Sequence, residues 1–351
     1  MMNRWQFLKR LAPLMAMMAL VLAACGREDL STLNPQGPVA QGQFDLMKTS
    51  IIIMSIVVVI VFALSFYVII RFRRRSGDKT IPKQVEGNHK LEIIWTVIPI
   101  ILLVILGVPT VQSVFNLAKD YSKDPDAVKV IVTSHLYWWE FEYPELGIKT
   151  AQELVIPTGK TISIEAKTAD VLHSFWVPSL AGKIDTNPAG NENRMYFSAP
   201  KKGVYLGKCA ELCGPSHGLM DFKVKSVDPA AFDRWAAAIK APVALPSDPA
   251  LAKTFEDRCL SCHAVGDMGG PAYPNLTGIG SRESVGGILV NVEADDKKYE
   301  HEDTIYNNLY KWIKDPEAFK PGNTMPDHKD LTEAELKGIA EYLAGLKLDY
   351  E

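Results

Sequence analysis

Between Cys209 and Met220 the sequence reads Cys-Ala-Glu-Leu-Cys-Gly-Pro-Ser-His-Gly-Leu-Met, which gathers two thiols, the imidazole of His217 and one thioether into twelve residues. Thiolate, imidazole and thioether together suit copper, whereas magnesium and calcium take oxygen ligands and zinc has little use for methionine. A mononuclear blue-copper site needs one thiolate; Cys209 and Cys213 are close enough to bridge a pair of copper ions. A second imidazole is required, and His173, at the end of an apolar run, is the upstream candidate. Further on stands Cys259-Leu260-Ser261-Cys262-His263. This is the attachment pattern of a c-type haem, in which two thiols on one helical turn form thioethers and the adjacent histidine ligates iron. The competing readings are a Cys209–Cys213 disulfide in the first case, and a redox dithiol or zinc site in the second.

The 351-residue chain has a formal charge of -3 and five cysteines, an odd number for a disulfide framework. A mean hydropathy of +0.01 conceals segregation, because the apolar content sits mostly in the first third. The length suggests two or three folded units. Composition excludes a disordered or collagen-like chain, and no basic face dominates, which argues against a nucleic-acid partner. At the start, Arg4, Lys9 and Arg10 precede the apolar run Leu11 to Ala24, the pattern of an export signal over residues 1–24. Leu22-Ala23-Ala24-Cys25 resembles the bacterial lipoprotein cleavage box, which implies that Cys25 carries a lipid and that residues 25–48 form a lipid-anchored external segment. The alternative is an ordinary cysteine beside a cleaved signal.

Ile51 to Ile70 holds no charge, and twenty residues at ~1.5 Å each cross a ~30 Å hydrocarbon core. Ile93 to Ala118 is also uncharged, with Pro99 and Pro109 inside. Between them lie Arg71, Arg73, Arg74, Arg75, Lys79, Lys83 and Lys90 against three acids, so this loop is expected on the cytoplasmic side. Residues 49–118 thus read as a transmembrane hairpin, with everything after it outside. Glu92 opens the second span, where position alone makes it an interfacial residue.

From Val128 the periodicity changes to short β-branched runs, including 128–132, 153–156, 161–165 and 222–225, separated by Pro/Gly turns. Residues 119–241 read as a Greek-key sandwich or barrel with a trailing helix opened by Asp228-Pro229. A Pro/Ala-rich spacer, Ala241 to Ser247, leads into a module at 242–351. From Ser247 onward it carries 11 basic and 20 acidic residues, -9, leaving +6 for the rest. Thr332-Glu333-Ala334-Glu335 is a capping box that opens a terminal helix. Residues 281–303 form a polar insertion without an assignment.

Cys-x-Glu-x-Cys-x3-His-x2-Met with an upstream His-Ser-Phe resembles the dinuclear copper (CuA) site in subunit II of haem-copper cytochrome oxidases. The likeness covers the helix hairpin and the aromatic run His135 to Tyr143, about residues 40 to 230. It implies a cupredoxin-like barrel in which Cys209 and Cys213 bridge both coppers. His173 and Met220 would complete one ion; His217 and the carbonyl of Glu211 would complete the other. The Glu211 side chain would face a magnesium ion at the border with the large subunit, and Glu92 would lie at the mouth of a proton channel in that subunit. Tyr137 stands where the family most often has the electron-accepting tryptophan, so Tyr137, Trp138 and Trp139 are candidates for the electron route, with the barrel core as the alternative for the two tryptophans. Asn323-Thr324-Met325-Pro326 resembles the methionine loop of all-α class I cytochromes c, which implies Met325 as the second iron ligand, with His301 and His328 as competitors. The resemblance therefore implies the subunit through which electrons enter a proton-pumping oxidase of a bacterial cell membrane. It would partner subunit I and subunit III and take electrons from a cytochrome c or a membrane cytochrome complex. The alternatives are the equivalent subunit of a CuA-containing nitric oxide reductase, a free-standing membrane electron carrier, and a copper-delivery protein.

Overall fold

The computed structural model describes residues 12–13, 15, 17, 30–74, 77, 81, 84–296, 298 and 300–350. Cys25, most of the signal stretch, and Arg75, Lys79 and Lys83 of the basic loop lie outside these residues. Two long apolar helices come first. α1 (Pro38–Arg71) opens with proline in its first turn, where the missing N–H is no loss, and ends on Arg71 at its negative pole. It starts well before the uncharged run, and its first turn is seated on the barrel: Ala40 N–H donates to Leu180 O at 3.1 Å, and Val39 and Ala40 are buried. α2 (His89–Leu117) is capped by Asn88, whose side chain accepts from the N–H groups of Lys90 and Leu91. Both helices are long and apolar enough to cross a membrane, and their spanning side chains are exposed in the isolated chain.

The strands that follow are β1 (Val128–His135), β2 (Trp138–Tyr143), β3 (Ile148–Ala151), β4 (Glu153–Pro157), β5 (Ile162–Thr168), β6 (His173–Trp176), β7 (Lys183–Pro188), β8 (Asn193–Phe197), β9 (Gly203–Cys209) and β10 (Asp221–Val227). They form one mixed sheet in the order β3-β2-β1-β5-β7-β6-β9-β10-β4, with β8 pairing β5. The two ends of this sheet, β3 and β4, are consecutive in the chain and separated only by Gln152. The sheet therefore curls into a nearly closed barrel, which removes most of the exposed edge. Inward alternation fills it with Trp139, Phe141, Phe175, Phe197 and Phe222, all at 0–1% exposure. α3 (Pro229–Ala238) closes one end by setting Phe232 and Trp235 against Tyr143.

The last unit is a helical frame of α4 (Pro249–Phe255), α5 (Ile305–Lys314), α6 (Pro316–Phe319) and α7 (Glu333–Gly345). The capping box at Thr332 and Glu335 is formed in both directions. α7 crosses α4 at Gly338, where a Cβ would stand 2.8 Å from Leu251, and beside that crossing Tyr342 meets Phe255 edge-on at 5.0 Å. The polar insertion of 281–303 is ordered into three short strands, Ser284–Val285, Leu289–Asn291 and Glu302–Asp303.

Candidate functional site

β9 ends at Cys209, and a short loop and a helical turn, His217–Leu219, bring the chain back into β10. This turn folds the donors of that stretch around the sulfurs. Cys209 Sγ and Cys213 Sγ are 3.8 Å apart; His217 Nδ1 lies 3.7 Å from Cys213 Sγ and Met220 Sδ 4.0 Å from it. His173, at the start of β6, brings Nδ1 to 3.8 Å from Cys209 Sγ, and the carbonyl of Glu211 lies 3.3 Å from the same sulfur. The ligand atoms of His173, Cys209 and Cys213 all fall within 4.8 Å of one another. All six donors singled out in the sequence are thus assembled at one place, although His173 comes from a strand far away in the chain.

The tautomer of His173 is decided by Asp170. Its Oδ1 sits 2.8 Å from His173 Nε2, and a carboxylate can only accept, so Nε2 carries the proton and Nδ1 turns a lone pair toward the sulfurs. This is the outer-partner arrangement that fixes a metal-binding imidazole. Burial, with the neighbouring Cys209 sulfur, pushes the Cys213 thiol up to about 12. One buried and one half-buried thiol with two imidazoles and a thioether are a site that a soft cation satisfies. Copper fits this donor set.

A second site opens between α5, α7 and the Cys259–His263 turn. It is a cavity of about 180 Å³ whose lining includes Cys259, Cys262, His263, Met325 and His328; His301 is not part of the wall. His263 Nδ1 donates to the Pro274 carbonyl at 2.7 Å, which leaves Nε2 as the free lone pair. Burial pushes the Cys259 thiol up to about 12 and lowers His263, so burial favours the neutral form of both. Two thiols, a free imidazole nitrogen and a thioether around an apolar cavity fit a covalently attached haem.

The aromatic run separates by position. Trp139 is fully buried, its ring 6.2 Å from that of His173. Trp138 stacks on His135 at 4.0 Å and lines the haem cavity. Tyr137 is 5% exposed and lines the same cavity; its hydroxyl faces Gly214 of the sulfur loop on one side and Gly322 of the last unit on the other. Glu92 lies in the first turn of α2, half-exposed, with His89 Nδ1 3.6 Å away. Glu211 is partly exposed at the rim of the sulfur loop.

The insertion turns out to be the seam between the barrel and the last unit. Glu283 N–H donates to Glu153 Oε2 at 2.8 Å, Lys225 pairs with the Glu283 carboxylate at 2.9 Å, and Lys223 Nζ donates to Gly287 O at 3.1 Å. Lys320 Nζ holds the carbonyls of Tyr137 and Gly286, and Ser216 Oγ donates to Pro321 O. The C-terminal tail returns to the barrel, where Tyr350 is buried and its carbonyl accepts from Arg234 Nε. Burial lifts Glu153 from 4.5 to about 7 against the pull of the Glu283 N–H, Lys225 and Arg282, with the Glu283 carboxylate adding to the rise. A carboxyl with its folded pKa above the unfolded one holds its proton in the folded state between those two values. Its contribution to stability is therefore largest at the acid end and is lost as pH rises through 7. Glu153→Gln is expected to flatten the pH 5–8 profile of thermal unfolding, abolishing a loss of no more than about 3 kcal/mol across that range. An unchanged profile would remove Glu153 from the balance.

Asp170, Gln152 and Lys320 were not foreseen from the sequence. Only Asp170 left a faint signal, a carboxylate three residues before a candidate ligand.

Fold and sites together define a membrane-anchored redox subunit that pairs a cupredoxin-like barrel with a cytochrome c unit. Residues 32–113 match the family described as cytochrome c oxidase subunit II, transmembrane domain; residues 146–227 match its periplasmic domain, and residues 252–347 match cytochrome c. A relative from Alkalihalophilus pseudofirmus, "Cytochrome c oxidase subunit 2", is 43% identical, with 99% of each chain covered. Its namesake from Bacillus sp. strain PS3 is 46% identical over 97% of this chain and 98% of the relative. The periplasmic domain of cytochrome oxidase subunit II from Bradyrhizobium japonicum is 28% identical over 31% of this chain and 91% of that one, with a TM-score of 0.30. The chain belongs to the cytochrome c oxidase subunit II family. The subunit II match implies copper and the cytochrome c match implies haem, and members of this family work with subunit I of haem-copper oxidases.

Proposed function

We propose that this chain is the electron-accepting subunit of a proton-pumping cytochrome c oxidase, with a dinuclear copper centre and a covalent haem in one external body. Cys209 and Cys213 would bridge the copper pair, with His173, Met220, His217 and the Glu211 carbonyl completing it. Cys259 and Cys262 would bind the haem edge, His263 and Met325 its iron. When bound, these groups supply one-electron transfer from an external donor, through haem and copper, to the haem of subunit I, where oxygen becomes water. The chain's own residues hold the geometry. Asp170 locks the His173 tautomer, the Pro274 carbonyl locks that of His263, and the insertion with Lys320 ties the two sites into one body. Tyr137 is the connecting aromatic in this reading, because it alone of the three borders both the haem cavity and the sulfur loop. Val171, Leu172, Leu212 and Leu219, each within two residues of a copper ligand, are exposed and suit an apolar face of subunit I. Glu211 would contribute a magnesium ligand at that border, Glu92 would stand at a proton-channel mouth on the opposite side, Cys25 would carry the lipid, and subunit III would join the complex.

The observation that carries the reading is the convergence of two imidazoles, a thioether and a backbone carbonyl around two sulfurs 3.8 Å apart. The test is an EPR and optical study of the purified chain. The expected result is one unpaired electron spread over two copper nuclei, together with a methionine-ligated haem c band that resists extraction. Substitution of Cys259 and Cys262 by alanine should make the haem extractable and leave the copper signal in place. A single-copper spectrum, or haem retained by that variant, would overturn the corresponding half.

A further inference from the structure

Gln152 is the one non-glycine residue with a left-handed backbone among the described residues, at φ 65°, and it occupies the single position between the two ends of the barrel sheet. Glycine would take that conformation without strain, so a side chain there has to be explained by what it does. Its main chain is satisfied on both sides: N–H donates to Trp139 O at 2.9 Å, and the carbonyl accepts from Lys223 N–H at 3.0 Å. Its side-chain Oε1 accepts from Trp139 N–H at 2.9 Å, and because that N–H can only donate, the orientation of the amide is settled. What remains is Nε2. It is buried, on a residue 5% exposed, it has no hydrogen-bond partner, and the residue forms part of the wall of the haem cavity.

Lys320 reaches the same cavity from the other unit. It is 2% exposed, and its Nζ donates to Gly286 O at 2.7 Å and Tyr137 O at 2.8 Å, two neutral partners for the three N–H groups of an ammonium. Burial pushes it down to about 7 against the pull of Asp221, and neither of its hydrogen-bond partners carries a negative charge. The two groups meet at one turn. Lys320 holds the Gly286 carbonyl, and a Cβ on Gly287 would stand 2.8 Å from Gln152 Nε2. A buried amide donor and a buried ammonium converging on one corner of a cavity are the complement of a carboxylate. A haem brings two of these on the edge opposite the one its thioethers occupy.

We infer that Gln152 and Lys320 receive one haem propionate between them, so that the copper-binding barrel builds part of the pocket of its neighbour's haem. This rests on haem attachment at Cys259 and Cys262. Through Oε1 the same amide is bonded to Trp139, whose indole Nε1 donates to Met220 O at 3.3 Å, so the propionate corner and a copper ligand share one hydrogen-bonded chain of barrel residues.

The test uses the full chain with haem attached and reads the haem midpoint potential and the propionate bending mode in resonance Raman spectra. Gln152→Gly suits the backbone and Gln152→Leu keeps side-chain bulk; both remove the donor. Each is expected to keep the methionine-ligated optical band and to shift the propionate mode. Each should also move the one-electron equilibrium about threefold to tenfold toward the oxidised haem, ~30–60 mV, because an uncompensated carboxylate favours ferric iron. Lys320→Met should shift both readouts in the same direction. A mode and a potential unchanged in both Gln152 variants would overturn the inference. A wild-type chain whose haem is not covalently held would instead overturn the reading beneath it.

Discussion

If Cys209 and Cys213 hold a copper pair as proposed, replacement of Cys213 by serine is expected to reduce copper from two ions per chain to one at most. Oxygen consumption driven by reduced cytochrome c should fall by more than about a hundredfold, since even outer partners of metal ligands are worth ten- to a hundredfold in affinity. Cys213 Sγ is the hub of the site: it lies within 4.0 Å of Cys209 Sγ, His217 Nδ1 and Met220 Sδ. A serine hydroxyl is harder, shorter and a poor bridge between soft ions. The haem pocket is built from other residues, so haem content and its methionine-ligated band should be retained. Asp170→Ala is the graded companion. It frees the His173 tautomer without removing a donor, so copper should bind more weakly by about 10–100-fold with the same spectrum. Full copper occupancy in the Cys213 variant, measured by metal analysis and EPR, would dissolve the dinuclear assignment.

The ease with which this site was read from the chain has a physical basis. Five of its six donors sit in one twelve-residue stretch because a strand end and a helical turn can wrap a metal locally, and the Cys-x-x-Cys-His turn does the same for haem. The spanning helices announce themselves by uncharged length, although that run marks only the lipid-embedded part of α1, which begins earlier at Pro38. Roles that depend on distant contacts were invisible. The 281–303 insertion is polar because it faces Glu153, Lys223 and Lys225 of another unit, and nothing local distinguishes that from a solvated loop. Lys320 reads as a surface lysine until the Tyr137 carbonyl is found above it. Gln152 sits between two strands, and only its φ angle and orphaned amide mark it out.

Trp139 is where packing and electron transfer can be separated. Its ring has no exposed surface and meets His173, Phe175 and Phe222 at centroid distances of 6.2, 5.8 and 5.2 Å. Trp139→Ala is expected to destabilise the barrel by about 3–5 kcal/mol through lost burial and a cavity beneath a ligand. Copper should be lost with it, since His173 and the Met220 carbonyl both lean on this ring. Trp139→Phe keeps an aromatic wall and forfeits the Nε1 donation. The Met220 carbonyl still accepts from Cys209 N–H at 3.2 Å, so the cost should be only about 1–2 kcal/mol and the copper content near normal. The two variants then divide the roles. If Trp139 acts through packing, Trp139→Phe reduces copper from haem at the wild-type rate in flash-initiated transfer, whereas Tyr137→Ala slows it with both cofactors in place. A Trp139→Phe chain with full copper and haem but slow transfer would move the route from the seam, where Tyr137 lies, into the barrel core.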